Sequence, residues 1–493
     1  MATDLNTILP DPVPVTGTDV ANLPKQERVS AEKIKNYILD QFNKGQSLRY
    51  HRTISWVMIQ SYLRGKHFFQ IDNLGRWRPI PRDKKVRVAV PLLLPMYRHV
   101  LGFFNSNELG VTTIPVASGT SDAFYRADRA EAAINGWIEE VDFDTTFDRG
   151  NQILLSEGTV GYLRYIDRYK QNVSVRAMGG SQIFPIPFDA TDPMEVSGYI
   201  IANVVSKAWL EQEDETLERQ LGHPLPRRMA ERVKTMSSGM SLAYPFLGGT
   251  FNQRIEGALA LTVYMAETPT TPGGEYMFIV GDELFRYASG EETIAIHGRD
   301  KNGRTPLPLE IAYFDKNPNE FLGSSFCETL IPMQASKDRS RSQLERSAVY
   351  NRSFSVYDST SINASDVQDS DSAFIPANFS KLGARVRSPL MHFPATTVGR
   401  DVLSVLQLQD SDADRAAGFR SGIVFGQQEG RTESGPATSL LSQNAMSSIL
   451  PPMKRVEQAL KRTYRGCLDM FRQVWPAGKT VRVTGPNNVG REI

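Results

Sequence analysis

The sequence predicts an α+β protein, with a body of mixed helices and short strands that gives way after residue 322 to long helices. Three observations carry this reading. Between residues 261 and 313 the segments LTVYMAE, EYMFIVGDELFRYA, TIAIHG and LEIAYF read as strands, separated by Gly, Asn and Pro turns as in a meander. Ahead of them, apolar residues recur at spacings of three and four, the period of a helix with one buried side. Beyond them stand two helical segments, 323–352 and 435–475, separated by a Ser/Asp-rich insertion and a short helical return.

Residues 1–24, MATDLNTILPDPVPVTGTDVANLP, hold no basic region followed by an apolar core and read as an extended, Pro-rich arm. Helical spacing begins near Ser30, with Ile34, Tyr37, Ile38 and Phe42 as its apolar positions. A second run holds Trp56, Ile59, Tyr62 and Leu63 and stops at Gly65. The stretch KHFFQIDNLGRWRPIPRDKK has strand-like aromatic segments around a turn at residues 73–75. Residues 86–104 are apolar enough to be buried, but prolines and charges interrupt them too often for a membrane span. A surface helix is expected over 121–141, with Ala123, Ala127, Ala130, Ile134 and Trp137 inward. A further helix over 143–156 leads through Gly158 and Gly161 into the alternating YLRYIDRY. VSVRAM and GYIIANVV read as strands, and AWLEQEDETLERQLG as a helix.

The organisation changes at DKNPNEFLGSS. Asn317, Pro318 and Gly323 punctuate a loop, and Ser325 with Glu328 fits a capping box that opens a helix. After Met333 this helix reads SKDRSRSQLERS, charged or polar nearly all round, so it is either solvated or held by neighbours through polar pairs. Pro332 is expected to kink it. Residues 353–398 combine the strand candidates FSVY, AFIPANF and ARVR with the loop DSTSINASDVQDSDS, and are too few for more than a subdomain. Helical character returns over 399–419, where Val402, Leu403, Val405, Leu406 and Leu408 supply one apolar side. The last helix carries Met453, Val456, Leu460, Tyr464, Cys467 and Phe471 at spacings of three and four, with Pro451 and Pro452 expected to kink or split it.

Composition excludes some classes of function. The chain has 493 residues, enough for two to four domains, and 40% hydrophobic with 9% aromatic content indicates folding. A net charge of +1, from 56 basic and 55 acidic side chains, argues against a surface that grips nucleic acid all over. Cys327 and Cys467 are far apart and in no partner motif, so neither a disulfide framework nor a zinc site is indicated. There is no phosphate-binding Gly-x-x-x-x-Gly-Lys-Ser/Thr loop and no Gly-x-Ser-x-Gly elbow. His51, His67, His99, His223, His297 and His392 are scattered without metal-ligand spacing. The expectation is a non-enzymatic protein without metal or cofactor.

Two features point toward a polyanion. The loop GQQEGRTESG at residues 426–435 is rich in hydrogen-bonding side chains, and Arg431 is offset by Glu429 and Glu433. Repeated around a ring, Gln427, Gln428, Arg431 and Thr432 would touch a polyanion without holding it tightly. From Pro451 onward, nine Lys/Arg stand against three acids, an excess that suits either DNA or the acids of a neighbouring subunit.

The segments WVMIQSYLRGKHFFQI, NPNEFLGSSFCETLIPMQASKDRSRSQLERSAVYNRS and GRTESGPATSLLSQNAM, in this order, resemble the portal (head-to-tail connector) proteins of tailed bacteriophages. The resemblance is one of pattern and order over most of the chain. It implies an arm at 1–24, a wing at 25–322, a first stem helix at 323–352 and a clip at 353–398. A second stem helix at 399–424, a tunnel loop at 425–438, a long wing-to-crown helix at 439–475 and a short crown or tail at 476–493 would follow. It further implies a homo-oligomeric ring of about twelve copies, in which Asp338, Arg339, Arg341, Glu345 and Arg346 pair between neighbouring stems. Asp366, Asp369 and Asp371 would belong to the clip surface that docks the large terminase subunit and later the head-to-tail adaptor and tail proteins. Double-stranded DNA, the major capsid protein and scaffolding protein complete the implied partners, with no membrane. The implied place is the portal vertex of the virion, after assembly in the host bacterial cytoplasm. The alternatives are another ring-forming connector or tail adaptor of the virion, and a hydrolase with an unrecognised site in the α+β body.

Overall fold

The computed structural model describes residues 15–71, 77–80, 87–106, 110–114, 121–167, 172–222, 224–225, 228–232, 257–269, 271–290, 292–293, 305–350, 354–358, 360, 373–378, 390–393, 400–417, 449–475, 480–481 and 491–492. The order begins β1 (Thr18–Asp19), α1 (Lys25–Leu48), α2 (Tyr50–Leu63), β2 (Phe69–Ile71), β3 (Trp77–Pro79), α3 (Leu93–Asn105), α4 (Ser121–Glu140) and α5 (Phe143–Glu157). It continues with β4 (Thr159–Asp167), β5 (Asn172–Gly179), β6 (Ile183–Ile186), β7 (Gly198–Ser206), α6 (Lys207–Leu221), α7 (Met229–Arg232), β8 (Gly257–Met265), β9 (Glu275–Val280), β10 (Glu283–Ser289) and β11 (Leu309–Tyr313). Then come α8 (Phe326–Tyr350), β12 (Phe354–Asp358), β13 (Ala373–Ala377), β14 (Leu390–Phe393), α9 (Arg400–Ala417), α10 (Leu450–Val474), β15 (Thr480–Val481) and β16 (Arg491–Glu492). The α+β class is thus the observed one.

A six-stranded antiparallel sheet in the order β1-β10-β9-β8-β7-β6 is the middle layer of the body. Its strands alternate with period two between two cores, as a sheet covered on both faces requires. On β7, Ile200, Ala202 and Val204 enter the smaller core, while Tyr199, Ile201 and Val205 enter the main one. α1 closes the smaller core with Ala31, Ile38 and Phe42, and Phe42 meets Phe184 at 4.6 Å between ring centroids. Gly45 leaves room for Phe184, which a β-carbon there would approach to 3.1 Å. The helix starts at Lys25, ahead of the expected Ser30, because the extended backbone of Pro24 already sets its entry, and Tyr37 is exposed where an apolar contact was expected.

The main core is shared by α2, α3, α5, α10 and the three-stranded sheet β11-β4-β5. Trp137 of α4 packs on Phe143, Tyr464 and Phe471, and so ties α4 to α5 and α10. The expected arm is partly docked: β1 pairs with the edge strand β10, and the Val15 amide donates to Glu213 at 2.9 Å. This pairing covers an edge that would otherwise offer unpaired backbone. TIAIHG, expected as a strand, lies almost wholly outside the described residues.

The start of α8 is built where α5 meets β4. Gly158 ends α5 in the left-handed region at φ +80°, and a β-carbon there would stand 2.5 Å from the Gly323 carbonyl oxygen. Gly323 donates to Thr159 Oγ1 at 2.8 Å, and Phe314 donates to the Gly158 carbonyl at 2.9 Å. The capping box forms as expected: the Glu328 amide donates to Ser325 Oγ at 3.0 Å, and the Ser325 amide to Glu328 Oε2 at 3.4 Å. From α2, Arg52 reaches Glu320 at 2.5 Å and Glu328 at 2.7 Å. α8 then continues as one element through Pro332. α10 begins at Leu450, so Pro451 and Pro452 fall in its first turn, where a missing amide costs no helical bond, and residues 418–448 lie outside the described ones.

Candidate functional site

The polar helix α8 is where the sequence and the structure differ most informatively. Gln334, Asp338 and Ser342 stand four residues apart on it, so successive side chains advance by about 6 Å along the axis. An extended chain advances about 6.7 Å for every two residues. The near match lets three side chains of one helix serve alternate residues of the segment leading into α3. The Val88 amide donates to Ser342 Oγ at 3.0 Å, and the Val90 amide to Asp338 Oδ1 at 2.9 Å. Gln334 Oε1 accepts from the Leu92 and Leu93 amides at 2.8 and 3.0 Å, and its Nε2 donates back to the Val90 carbonyl at 2.9 Å. The helix face thus takes the place of a β-partner.

The middle rung is buried and connected. Asp338 Oδ2 accepts from His67 at 2.8 Å and from Gln334 Nε2 at 3.1 Å, and Gln334 and Asp338 are 0% and 3% exposed. Asp338 was expected to pair with a neighbouring subunit. In the structure it is buried and accepts instead from the Val90 amide, His67 and Gln334 of its own chain.

A second side of α8 holds α9. Gln409 donates to Ser336 Oγ at 2.9 Å and to Ser340 Oγ at 3.0 Å, and Lys337 pairs with Asp410. These contacts between the two helices are polar, hydroxyls and an ammonium matched by amide and carboxylate. Val405 and Leu408, expected on a packed apolar side, are 46% and 62% exposed, and the side chains of Val402, Leu403 and Leu406 lie outside the described ones. Ala413 of α9 is fully enclosed.

The remaining surface of α8 carries Arg339 and Arg346, both exposed. Arg341 and Glu345 pair with each other along the helix at 3.1 Å. Such an exposed i,i+4 pair is worth only about 0.3–0.5 kcal/mol and yields readily to another partner. The two helices thus expose aliphatic side chains on α9 and guanidinium groups on α8. Gln427, Gln428, Arg431 and Thr432 lie outside the described residues, as do Asp366, Asp369 and Asp371.

The C-terminal helix α10 is fixed to the body by charge as well as by its apolar face. Arg164 of β4 lies across Gly466, where a β-carbon would collide with the guanidinium, and donates to the Arg462 carbonyl at 3.2 Å and the Leu307 carbonyl at 3.0 Å. Glu310 of β11 accepts from Arg462 at 3.0 Å and lies 3.7 Å from Arg164. Burial raises the Glu310 pKa, and the two guanidiniums oppose that rise. Arg455 donates to the Phe314 carbonyl. Part of the C-terminal basic excess is therefore used to dock the helix.

Sequence reasoning missed His67, Gln334 and Ser342. The available signal was the polar i, i+4, i+8 row at 334, 338 and 342 beside a β-prone VRVAV segment. Among the described residues, no group of three or more His, Cys, Asp or Glu is arranged to hold a metal, and no helix is long and apolar enough to cross a membrane. No protein-family model matches the chain, and no curated protein matches it.

Proposed function

We propose that this chain is the subunit of a homo-oligomeric ring, the portal of a tailed bacteriophage, through which double-stranded DNA is packaged and ejected. The observation that carries the reading is the open side of the α8–α9 pair. Val405 and Leu408 are exposed on α9, which Gln409 and Asp410 hold to α8, and α8 itself exposes Arg339 and Arg346. A surface of this kind is incomplete in one copy, and a ring of copies completes it. The order of parts supports the same reading: an α+β body, a helix leaving it, a small sheet β13-β12-β14, a helix returning, and a long amphipathic helix docked on the body. In that ring α8 and α9 are the stem, and residues 353–398 form the clip that meets the large terminase subunit and then the tail adaptor. The loop 425–438 lies in the channel.

Mass measurement and averaged particle images of the purified protein test the proposal. A closed ring of about twelve copies with a central opening is the expected result. A stable monomer with no ring at any concentration tested would overturn it.

A further inference from the structure

We infer that the solvent face of α10 is a contact surface for the phosphate backbone of duplex DNA. The inference deepens the ring reading and rests on it for bringing DNA to this helix. Lys454, Lys461, Arg465 and Arg472 are all exposed and follow one another at steps of seven, four and seven residues. At about 100° per residue those steps nearly cancel, so the four side chains fall within about 40° of one another on the helix surface. They form a straight cationic stripe about 27 Å long. Over that length a duplex presents about sixteen phosphate charges.

The stripe is not a sample of the chain's overall charge. The protein as a whole carries +1, whereas on α10 six Lys and Arg stand against Glu457 and Asp469. Two of the six, Arg455 and Arg462, turn to the Phe314 carbonyl and to Glu310 and so belong to the docking of the helix. The other four make up the outward stripe. Lys461 keeps Glu457 at 2.6 Å in an exposed pair, which holds no more than about 1 kcal/mol and exchanges readily for phosphate, and the exposed Arg472 lies 3.9 Å from the half-buried Asp469.

The stripe is also held in place. Val456, Leu460, Tyr464, Cys467 and Phe471 bury the opposite face, Phe471 stacks on Trp475 at 4.0 Å, and Arg164 lies over Gly466. The helix cannot roll, so little ordering is needed when a ligand arrives. Four cations on one copy make a weak, sequence-independent contact, and several copies around a ring multiply it.

The test uses the full chain and a labelled DNA duplex of arbitrary sequence, about two helical turns long. Binding is followed by fluorescence anisotropy over a range of salt concentrations, and assembly is followed separately by mass measurement. The K454Q/K461Q/R465Q/R472Q variant is compared with a matched control, K33Q/K44Q/R126Q/R219Q, that removes four exposed cations elsewhere. The stripe variant is expected to assemble as the parent does, to lose at least about tenfold in affinity at low salt, and to show a salt slope smaller by about 3–4 per site. The control is expected to keep the parental slope. Equal losses in both variants, an unchanged slope in the stripe variant, or no DNA binding by the parent would each overturn the inference. So would loss of assembly with DNA binding retained, which would make the stripe a contact with acids of a neighbouring copy. Failure of the ring reading itself would appear instead as a parent protein that never assembles.

Discussion

His67 donates from Nδ1 to Asp338 Oδ2 at 2.8 Å across 271 residues of sequence, with both side chains almost wholly enclosed. A carboxylate only accepts, so Nδ1 carries the hydrogen. Removing Asp338 would strand His67, the Val90 amide and part of the Gln334 amide at once. Asp338→Ala is expected to cost about 2–4 kcal/mol in chemical denaturation. Asp338→Asn should cost nearly as much, because its NH2 must face a donor on one side or the other. A cost under about 0.5 kcal/mol for both variants would refute the buried rung.

Gly466→Ala sets a β-carbon against the Arg164 guanidinium and is expected to destabilise by about 1–3 kcal/mol. In an Arg164→Ala background the same change should cost little, because the group it collides with is gone. A double-mutant cycle reads this directly, and additive effects would show that the collision is not the cause.

Acid stability should carry the mark of Glu157. Complete burial raises its pKa from 4.5 to about 8, opposed by the Ser181 amide that donates to it and by Arg49. The folded state therefore holds its proton more tightly than the unfolded state. The stabilisation is full below about pH 4.5 and is lost as pH rises toward 8. Burial raises Glu213, Asp214, Glu275 and Glu310 in the same sense. Glu157→Gln is expected to flatten, without abolishing, the decline of Tm with pH between those limits. An unchanged Tm profile in the variant would count against a protonated Glu157.

Val405→Ser with Leu408→Ser should leave the chain folded, because both residues already face outward, yet shift its assembly toward smaller species. Arg339→Glu with Arg346→Glu should weaken assembly as well. Arg341→Glu should act less, since Arg341 already pairs with Glu345 on its own helix. Mass photometry across a dilution series measures each of these. Undiminished rings in both double variants would remove this surface from the subunit interface.

Deleting residues 427–433 is expected to leave rings assembled while impairing DNA packaging or retention. Collapse of assembly in the deletion would place that segment in a subunit contact instead of the channel.

Much of the body was legible because period alone decided it. The alternation in GYIIANVV gave β7, the three-and-four spacing in 453–471 gave the buried face of α10, and Ser325 with Glu328 gave the start of α8. The polar helix was legible as a helix but its partners were not. Its hydroxyls, amide and carboxylate could be read as bonding water, a neighbour or a distant stretch of the same chain, and only the fold brings Val88 to Leu92 within reach. On α9 the expectation departs from the structure at Val405 and Leu408, which face outward while Gln409 and Asp410 meet the polar side of α8 formed by Ser336, Lys337 and Ser340.

The row at residues 334, 338 and 342 has a mechanical consequence. A helix and an extended chain are two rulers with slightly different graduations, about 6 Å and 6.7 Å, and set side by side they behave as a vernier. The marks agree over three rungs, and a fourth would already be out by about 2 Å. A slide by one division would bring Arg346, which can only donate, opposite the Val88 amide, and would leave the Leu93 amide without the Gln334 oxygen that now accepts from it. The helix that leaves the body is thereby held at one axial setting, so a load applied to its far end is delivered to the root of α3 instead of being lost as slip.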